Sequence, residues 1–109
     1  MGTIRIDDDY YTLINIFRVK PGDQPRIYAE VLGATEIIQH FPGFVSANVH
    51  LGDDGTTVVN YAQWRSKELF DAMQRHTSVQ EHFRACREIA EIDSVFCRAR
   101  YTHQREAAL

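Results

Sequence analysis

A polar pair within an otherwise apolar strand is the part of this sequence with the most chemical content. Asn60 and Trp64 lie in the segment VVNYAQW, where the two-residue period of a β-strand places both side chains on one face. An amide and an indole N–H are costly to bury without partners, so this face predicts an internal network or a pocket for a polar ligand. Asn15 has the same setting in an earlier apolar segment. If the two strands are neighbours, two amides and one indole converge.

The residues around this pair predict a β-hairpin. Residues 44–51 form one strand, Asp53-Asp54-Gly55 supplies the turn, and the third predicted strand runs on to Trp64. Residues 10–19 are rich in β-branched and aromatic residues and predict the first strand. A last strand is expected from about residue 94 to residue 101.

Helices are predicted in the remaining connections. Asp23 can cap the first, which has Pro25 in its first turn. Ser66 is the expected N-cap of a short second helix, and Ser78 with Glu81 forms a capping box for a third. The resulting order, β-α-β-β-α-β, predicts an α+β fold of the ferredoxin-like type.

Chain length and strand faces predict one domain that pairs with a second copy. A length of 109 residues is that of a single domain, in which we expect residues 1–9 to be a flexible lead-in and residues 103–109 a C-terminal tail. Helices of a ferredoxin-like domain cover one sheet face, yet both faces here are apolar, since Ile14 and Ile16 oppose Leu13 and Phe17. We therefore expect a homodimer, in which two sheets pack face to face as a dimeric α+β barrel.

Composition and charge argue against several classes of partner. A net charge of −3 and a hydrophobic fraction of 44% describe an ordinary globular protein with no basic footprint for nucleic acid. The chain lacks a membrane-spanning run and a secretory leader, so we expect a cytoplasmic protein with no membrane partner. Cys86 and Cys97 are predicted to be buried thiols. The histidines show no metal-ligand spacing and no Gly-rich phosphate loop follows a strand, so neither metal nor cofactor is predicted.

The hairpin GFVSANVHLGDDGT followed by VVNYAQW resembles the antibiotic biosynthesis monooxygenase family, and most of all its cofactor-independent anthrone oxygenases from aromatic polyketide pathways. The resemblance extends from the first strand to the last and implies a dimeric α+β barrel. It also implies that Asn60 and Trp64 line a pocket between helices and sheet, with Asn15 facing them. These three residues are the expected catalytic residues.

The reaction that the resemblance implies is oxidation of an anthrone-type intermediate to a quinone by O2. Triplet dioxygen does not combine with a closed-shell molecule in one spin-allowed step, so the substrate carbanion would supply an electron and the radical pair would recombine. Asn15 and Asn60 would stabilise the enolate as an oxyanion hole does, and Trp64 would offer its N–H to the reduced oxygen. The base stays open between His50, a water molecule and the solvent.

Further side chains are expected to bind the substrate. His50 and Arg84 match polar pocket positions in some relatives, and Phe17 and Phe41 would form apolar walls with Phe70. Phe70 stands where some of these oxygenases carry a tyrosine. A phenol proton donor is therefore missing at that position.

Two other functions stay open. Relatives on this fold degrade haem, and Asn15, Trp64 and His76 could form the corresponding set, although His76 falls in a predicted break between helical pieces where an axial ligand would be poorly held. The second alternative is a non-catalytic dimeric barrel that binds a ligand. Sequence leaves open the exact substrate, its regiochemistry, and whether the chain is an active enzyme or a diverged relative.

Overall fold

The fold is a four-stranded sheet with helices on one face, seen in a computed structural model that describes residues 3–105. Its strands are β1 (Tyr11–Arg18), β2 (Phe44–Leu51), β3 (Thr57–Trp64) and β4 (Glu91–Cys97), and its helices are α1 (Gln24–Ile38), α2 (Lys67–Gln74) and α3 (Thr77–Ile89). All neighbouring strands are antiparallel, in the order β2-β3-β1-β4. This order confirms the predicted α+β, ferredoxin-like fold.

The last strand begins earlier than predicted. It spans Glu91–Cys97, not residues 94–101, because α3 ends at Ile89 and the chain turns into extended backbone at Ala90. β4 then pairs with β1 along its length, and an Arg18–Asp93 ion pair joins the two strands. Acidic residues are unfavourable in strands, so the sequence of this segment did not indicate where the strand begins.

Two helix caps occupy their predicted positions. Ser66 is the N-cap of α2, and its hydroxyl oxygen accepts a hydrogen bond from the Leu69 N–H at 3.2 Å. Asp23 precedes α1 and Pro25 lies in the first turn, but the Asp23 side chain makes no capping bond. Gln24 helps to hold this end, since its amide donates to the Gly52 carbonyl of the β2–β3 loop at 3.0 Å.

The predicted capping box of α3 is wrong. The helix begins at Thr77 with His76 in the N-cap position and no side-chain cap, so Ser78 lies inside the first turn. The Ser78 hydroxyl instead hydrogen-bonds to Nδ1 of His76 at 2.9 Å. The helix therefore starts two residues before the box signal implies.

The helices bury one face of the sheet, called here the inner face. Two clusters of buried side chains pack between it and the helices: Leu13, Ala62, Trp64, Phe70, Met73 and Val79 in the first, and Phe17, Ile27, Val31, Val58 and Cys86 in the second. Burial of each large apolar side chain contributes roughly 1.5–3 kcal/mol, so these clusters hold helices to sheet. Cys86 is buried as predicted, whereas Cys97 is only half-buried.

The other face of the sheet, the outer face, carries both apolar and polar side chains. Ile14, Ile16, Val59 and Tyr61 alternate with inner-face residues along β1 and β3 and are half-buried. At one end, Gln63 is 3% exposed, and its amide accepts a hydrogen bond from the Ser46 hydroxyl at 2.6 Å and donates one to the Thr3 carbonyl at 2.8 Å.

The N-terminal lead-in contacts this outer face. Its residues Ile6–Asp8 form a short 3-10 turn, and the carbonyl of Thr3 is the acceptor for Gln63. Residues 1 and 2 of the expected lead-in and residues 106–109 of the expected tail lie outside the described residues. Within the described part of the chain, no helix has the length and apolarity that a membrane crossing requires.

A β-bulge changes which residues of β2 face inward. Phe44 pairs with Trp64, but the next pair is Ser46 with Gln63, so Val45 is the extra residue. The alternation therefore shifts by one after Phe44, and Ala47 faces inward together with it. Ser46, Asn48 and His50 point to the outer face.

Candidate active site

A cavity of about 300 Å³ lies between the helices and the inner face of the sheet. This volume is at the lower end of the roughly 300–1,000 Å³ found for small-molecule pockets. Its wall is mostly apolar and draws on all four strands and all three helices. The polar side chains that line it are Asn15, Thr35, Asn60, Gln74, Arg87 and Ser94.

Asn15 and Asn60 are brought together on the cavity wall, as predicted. They are direct partners in the β1–β3 register, a relation that places Cβ atoms roughly 4.5–5.5 Å apart. The Oδ1 atom of Asn60 is buried and has no hydrogen-bond partner among the described residues. A buried acceptor without a partner costs about 1–3 kcal/mol, so the site favours a ligand that donates a hydrogen bond there.

Ser94 extends this polar row onto a third strand. It is the β4 partner of Asn15, and its hydroxyl donates to Oδ1 of Asn15 at 2.5 Å. Sequence reasoning missed Ser94 because the last strand was expected to begin there, which left its register with β1 undefined. Asn60, Asn15 and Ser94 thus cross the sheet side by side.

Trp64 closes the cavity at the end of β3 and is 1% exposed. Its ring makes edge-on contacts with Phe44, at a centroid distance of 5.6 Å, and with Phe70, at 5.7 Å. Trp64 is four positions along β3 from Asn60, a backbone distance of about 13 Å at the usual strand rise. A ligand that reaches both the indole and the amides is therefore extended, and the apolar wall between them suits a flat aromatic one.

Phe17 and Phe70 line the cavity as predicted, but Phe41 does not. The Phe41 ring packs edge-on against His76, with centroids 5.0 Å apart, after the end of α1. Tyr11 packs against Phe70 at 5.7 Å without lining the cavity, so it does not supply the phenol that is missing at position 70.

His50 is not brought to the cavity. Its strand partner is Val59, which lies on the outer face, and the imidazole is exposed with Nδ1 3.1 Å from the Asn48 carbonyl oxygen. Counting alternate residues from Phe44 would place His50 inward, and the bulge at Val45 reverses that count. His50 is therefore removed from the candidate bases.

Arg84 is also absent from the cavity wall, and Arg87 is present instead. Phe83 faces the cavity from α3, and a residue four positions later lies on the same helix face, whereas the next residue is turned away by about 100°. The (i, i+4) relation to Phe83 was the signal in the sequence that identifies Arg87. Its guanidinium puts a positive charge at an exposed part of the wall.

Cys86 is a buried thiol on the cavity wall. Burial, and then the negative charge of Glu30, raise the pKa of Cys86 to about 11. The thiol is therefore protonated near neutral pH and is a weak base and nucleophile there.

The described residues do not assemble the histidine site that haem binding would need. His76 lies at the start of α3, is exposed, and does not line the cavity. Within residues 3–105, no cluster of three or more His, Cys, Asp or Glu side chains is arranged to hold a metal ion.

Fold and cavity together define a ferredoxin-like α+β protein with a mostly apolar ligand pocket between its helices and sheet. The chain belongs to the antibiotic biosynthesis monooxygenase family, whose sequence profile matches residues 10–89. This membership confirms the resemblance seen in the hairpin and third strand.

Individual relatives support the same assignment. The chain is 45% identical over 98 residues to the tetracenomycin-F1 monooxygenase of Streptomyces glaucescens, covering 89% of this chain and 88% of that protein. It is 27% identical to the monooxygenase from the gene ActVA-Orf6 of Streptomyces coelicolor, solved with nanaomycin D, with a TM-score of 0.77 over 92% of this chain and 96% of that one. SnoaB, a cofactor-independent oxygenase from Streptomyces nogalater, shares the fold at 22% identity, with a TM-score of 0.79 over 86% of this chain and 96% of that one.

Proposed function

We propose that this protein is a cofactor-independent monooxygenase that oxidises an anthrone-type aromatic polyketide intermediate to a quinone with O2. The observation that carries the proposal is the placement of Asn15 and Asn60 side by side on the wall of an apolar cavity that ends at Trp64. Family membership and the 45% identical monooxygenase support the reaction class.

The reaction is balanced without an added reductant. The anthrone methylene loses a proton, and the carbanion passes one electron to O2 to give superoxide and a substrate radical. These recombine to form a C–O bond, and the peroxide takes up a proton. Loss of the second methylene hydrogen and cleavage of the O–O bond then release water and leave the quinone carbonyl.

The two amides act on the oxygen that gains charge when the proton leaves. An amide N–H directed at an enolate oxygen stabilises the charge most when water is excluded, as in an oxyanion hole. Asn60 also has an unpartnered oxygen, which a phenol hydroxyl of the substrate would satisfy. With His50 on the outer face and Cys86 protonated, water is the base that we propose.

Trp64 acts at the other end of the cavity. Its indole ring forms the end wall with Phe44 and Phe70, where it stacks beside the aromatic substrate and excludes water. In this proposal its N–H donates to superoxide and to the peroxide. Replacing the indole by phenyl keeps most of the wall and removes the donor.

The test is oxygen uptake and quinone formation with dithranol, a simple anthrone, and with tetracenomycin F1. Wild-type protein treated with chelator is compared with Asn60→Ala, Trp64→Phe and a no-protein control that measures autoxidation. Loss of one such donor typically lowers kcat by about 10²–10³-fold, which is the change expected for Asn60→Ala.

Gln39→Ala is the matched control. Gln39 carries an exposed carboxamide just after α1, outside both the cavity wall and the sheet, and it donates to the Glu36 carbonyl at 3.2 Å, so its loss should leave the rate unchanged. Wild-type uptake no faster than autoxidation would contradict the proposed oxygenase. Binding of the quinone without oxidation would support the non-catalytic ligand-binding protein in its place.

We further propose that the active form is a homodimer, paired through the outer faces of two sheets. Ile14, Ile16, Val59 and Tyr61 present apolar surface on the sheet face opposite α1, α2 and α3, and Val95 of the same face is 50% exposed. A second copy of this surface covers it on both partners at once, as a two-fold interface does.

Light scattering across a concentration series tests the pairing. Ile16→Glu places a charge in the centre of the outer face and should yield monomers. Leu32→Glu, at a 37% exposed residue of α1, is the control that should leave the mass unchanged. A wild-type mass of one chain at all concentrations would contradict the dimer.

A further inference from the structure

We propose that Ser94 is a positioning residue of this site, which orients the amide of Asn15 so that its NH2 group faces the bound substrate. The inference rests on the proposed function, since it concerns the same substrate site. It assigns a role to β4, a strand that contributed no residue to the site predicted from sequence.

The geometry is that of a row across three strands. Asn15 lies between two direct cross-strand partners, Ser94 on β4 and Asn60 on β3. The Ser94 hydroxyl donates to Oδ1 of Asn15 at 2.5 Å, and all three side chains line the cavity. Ser94, on the edge strand β4, therefore occupies the oxygen end of the Asn15 amide.

This bond decides which end of the amide is available. An asparagine side chain has an acceptor oxygen and a donor NH2, and a half-turn of its last torsion exchanges them. Because the Ser94 hydroxyl occupies the oxygen, the NH2 group remains for the ligand. A substrate oxygen that gains negative charge needs a donor, and an oxygen turned toward it would repel it.

Asn60 lacks a corresponding anchor, so the two amides are not equivalent. Its other strand partner is Val49, which offers no side-chain donor, and its Oδ1 is without a partner among the described residues. The site therefore holds Asn15 in a fixed donor orientation, whereas the ligand itself orients Asn60.

The experiment is a double-mutant cycle between Ser94→Ala and Asn15→Ala, followed by steady-state oxidation of dithranol with the full-length protein. Loss of one hydrogen bond of this kind should lower kcat by roughly 3- to 10-fold in the wild-type background. In the Asn15→Ala background the same change should have no effect, because no amide remains to be oriented. KM should change less than kcat, since the charge develops in the transition state.

Two variants separate positioning from folding. Ser94→Thr keeps the hydroxyl and should recover most of the rate. Ser78→Ala is the control: it removes a serine hydroxyl that hydrogen-bonds to Nδ1 of His76 at 2.9 Å at the start of α3, away from the cavity wall and the outer face, so it should lower Tm at most and leave kcat unchanged.

The outcomes distinguish this inference from the function on which it rests. Wild-type protein that oxidises dithranol no faster than autoxidation would overturn both. If the wild type oxidises dithranol, two results would each overturn the positioning role alone. The first is an equal loss of kcat from Ser94→Ala in the wild-type and Asn15→Ala backgrounds. The second is a Ser94→Thr variant whose kcat does not recover.

Discussion

Asn15 and Asn60 are direct cross-strand partners on the inner face, and they are the only two carboxamides of β1 and β3 that line the cavity. They come from strands that are distant in sequence, and only the antiparallel register makes them neighbours. The pair can contact two oxygens of one ligand, or one oxygen from two sides.

In the proposed mechanism the two amides act on one ligand, so we expect their contributions to be coupled. Asn15→Ala and Asn60→Ala should each lower kcat/KM, and the double variant should lose less than the product of the two single losses. Quinone formation followed by absorbance measures all four proteins. Fully multiplicative losses would mean that the amides act independently.

Arg87 should contribute to substrate binding and Arg84 should not. Arg87 lies on the cavity wall, where its charge would attract a phenolate or carboxylate of the proposed substrate. We expect Arg87→Ala to raise KM by roughly 3- to 10-fold, as for loss of a partly exposed charged contact, with little change in kcat. Arg84→Ala is the matched control, and an equal effect of the two changes would contradict this placement.

Because the pKa of Cys86 is raised in the folded protein, we expect the free energy of unfolding to fall at alkaline pH. The unfolded thiol ionises near its ordinary value of 9.0, whereas the folded thiol keeps its proton to about 11. The contribution is therefore fully present below pH 9 and is lost as the pH rises toward 11. Urea unfolding at several pH values should show a shallower decline for Cys86→Ala than for wild type or for Cys97→Ala. Equal slopes would mean that the thiol is not shielded.

Gly43 should tolerate substitution much less than Gly22. Both have positive φ, +89° and +93°, but a Cβ at Gly43 would lie 2.6 Å from the Leu69 side chain, whereas open space surrounds Gly22. We expect Gly22→Ala to cost about 1–2 kcal/mol for the backbone alone. Gly43→Ala adds an overpacking cost of about 1–3 kcal/mol, so its Tm should be clearly lower. Equal Tm values would show that Leu69 moves aside freely.

Most of the fold could be predicted from the sequence because the local signals for strands, turns and helix caps agreed with each other. The first three strands, the Asp-Gly turn and the Ser66 cap rest on residues within a few positions of one another. The start of β4 was missed because Glu91 and Asp93 disfavour strands, and only pairing with β1 brings them into one. The local strand propensity of these residues carries no information about that pairing.

The candidate site was predictable where strict alternation holds. Asn15, Asn60 and Trp64 lie in regular strands, so counting by twos places them correctly. His50 was misplaced because a bulge precedes it, and Arg84 because one helical position separates it from the cavity-facing direction. Ser94 could be found only from the register between β1 and β4.

The bulge at Val45 also bears on how this scaffold can change its ligand. One extra backbone residue presents Ala47 to the cavity and sends Ser46, Asn48 and His50 to the other side. If β2 paired regularly instead, with Val45 opposite Gln63, the two sets would exchange and the same pocket would carry a hydroxyl, an amide and an imidazole. The polarity of the pocket therefore depends on the pairing register of β2 as well as on the residues that the strand contains.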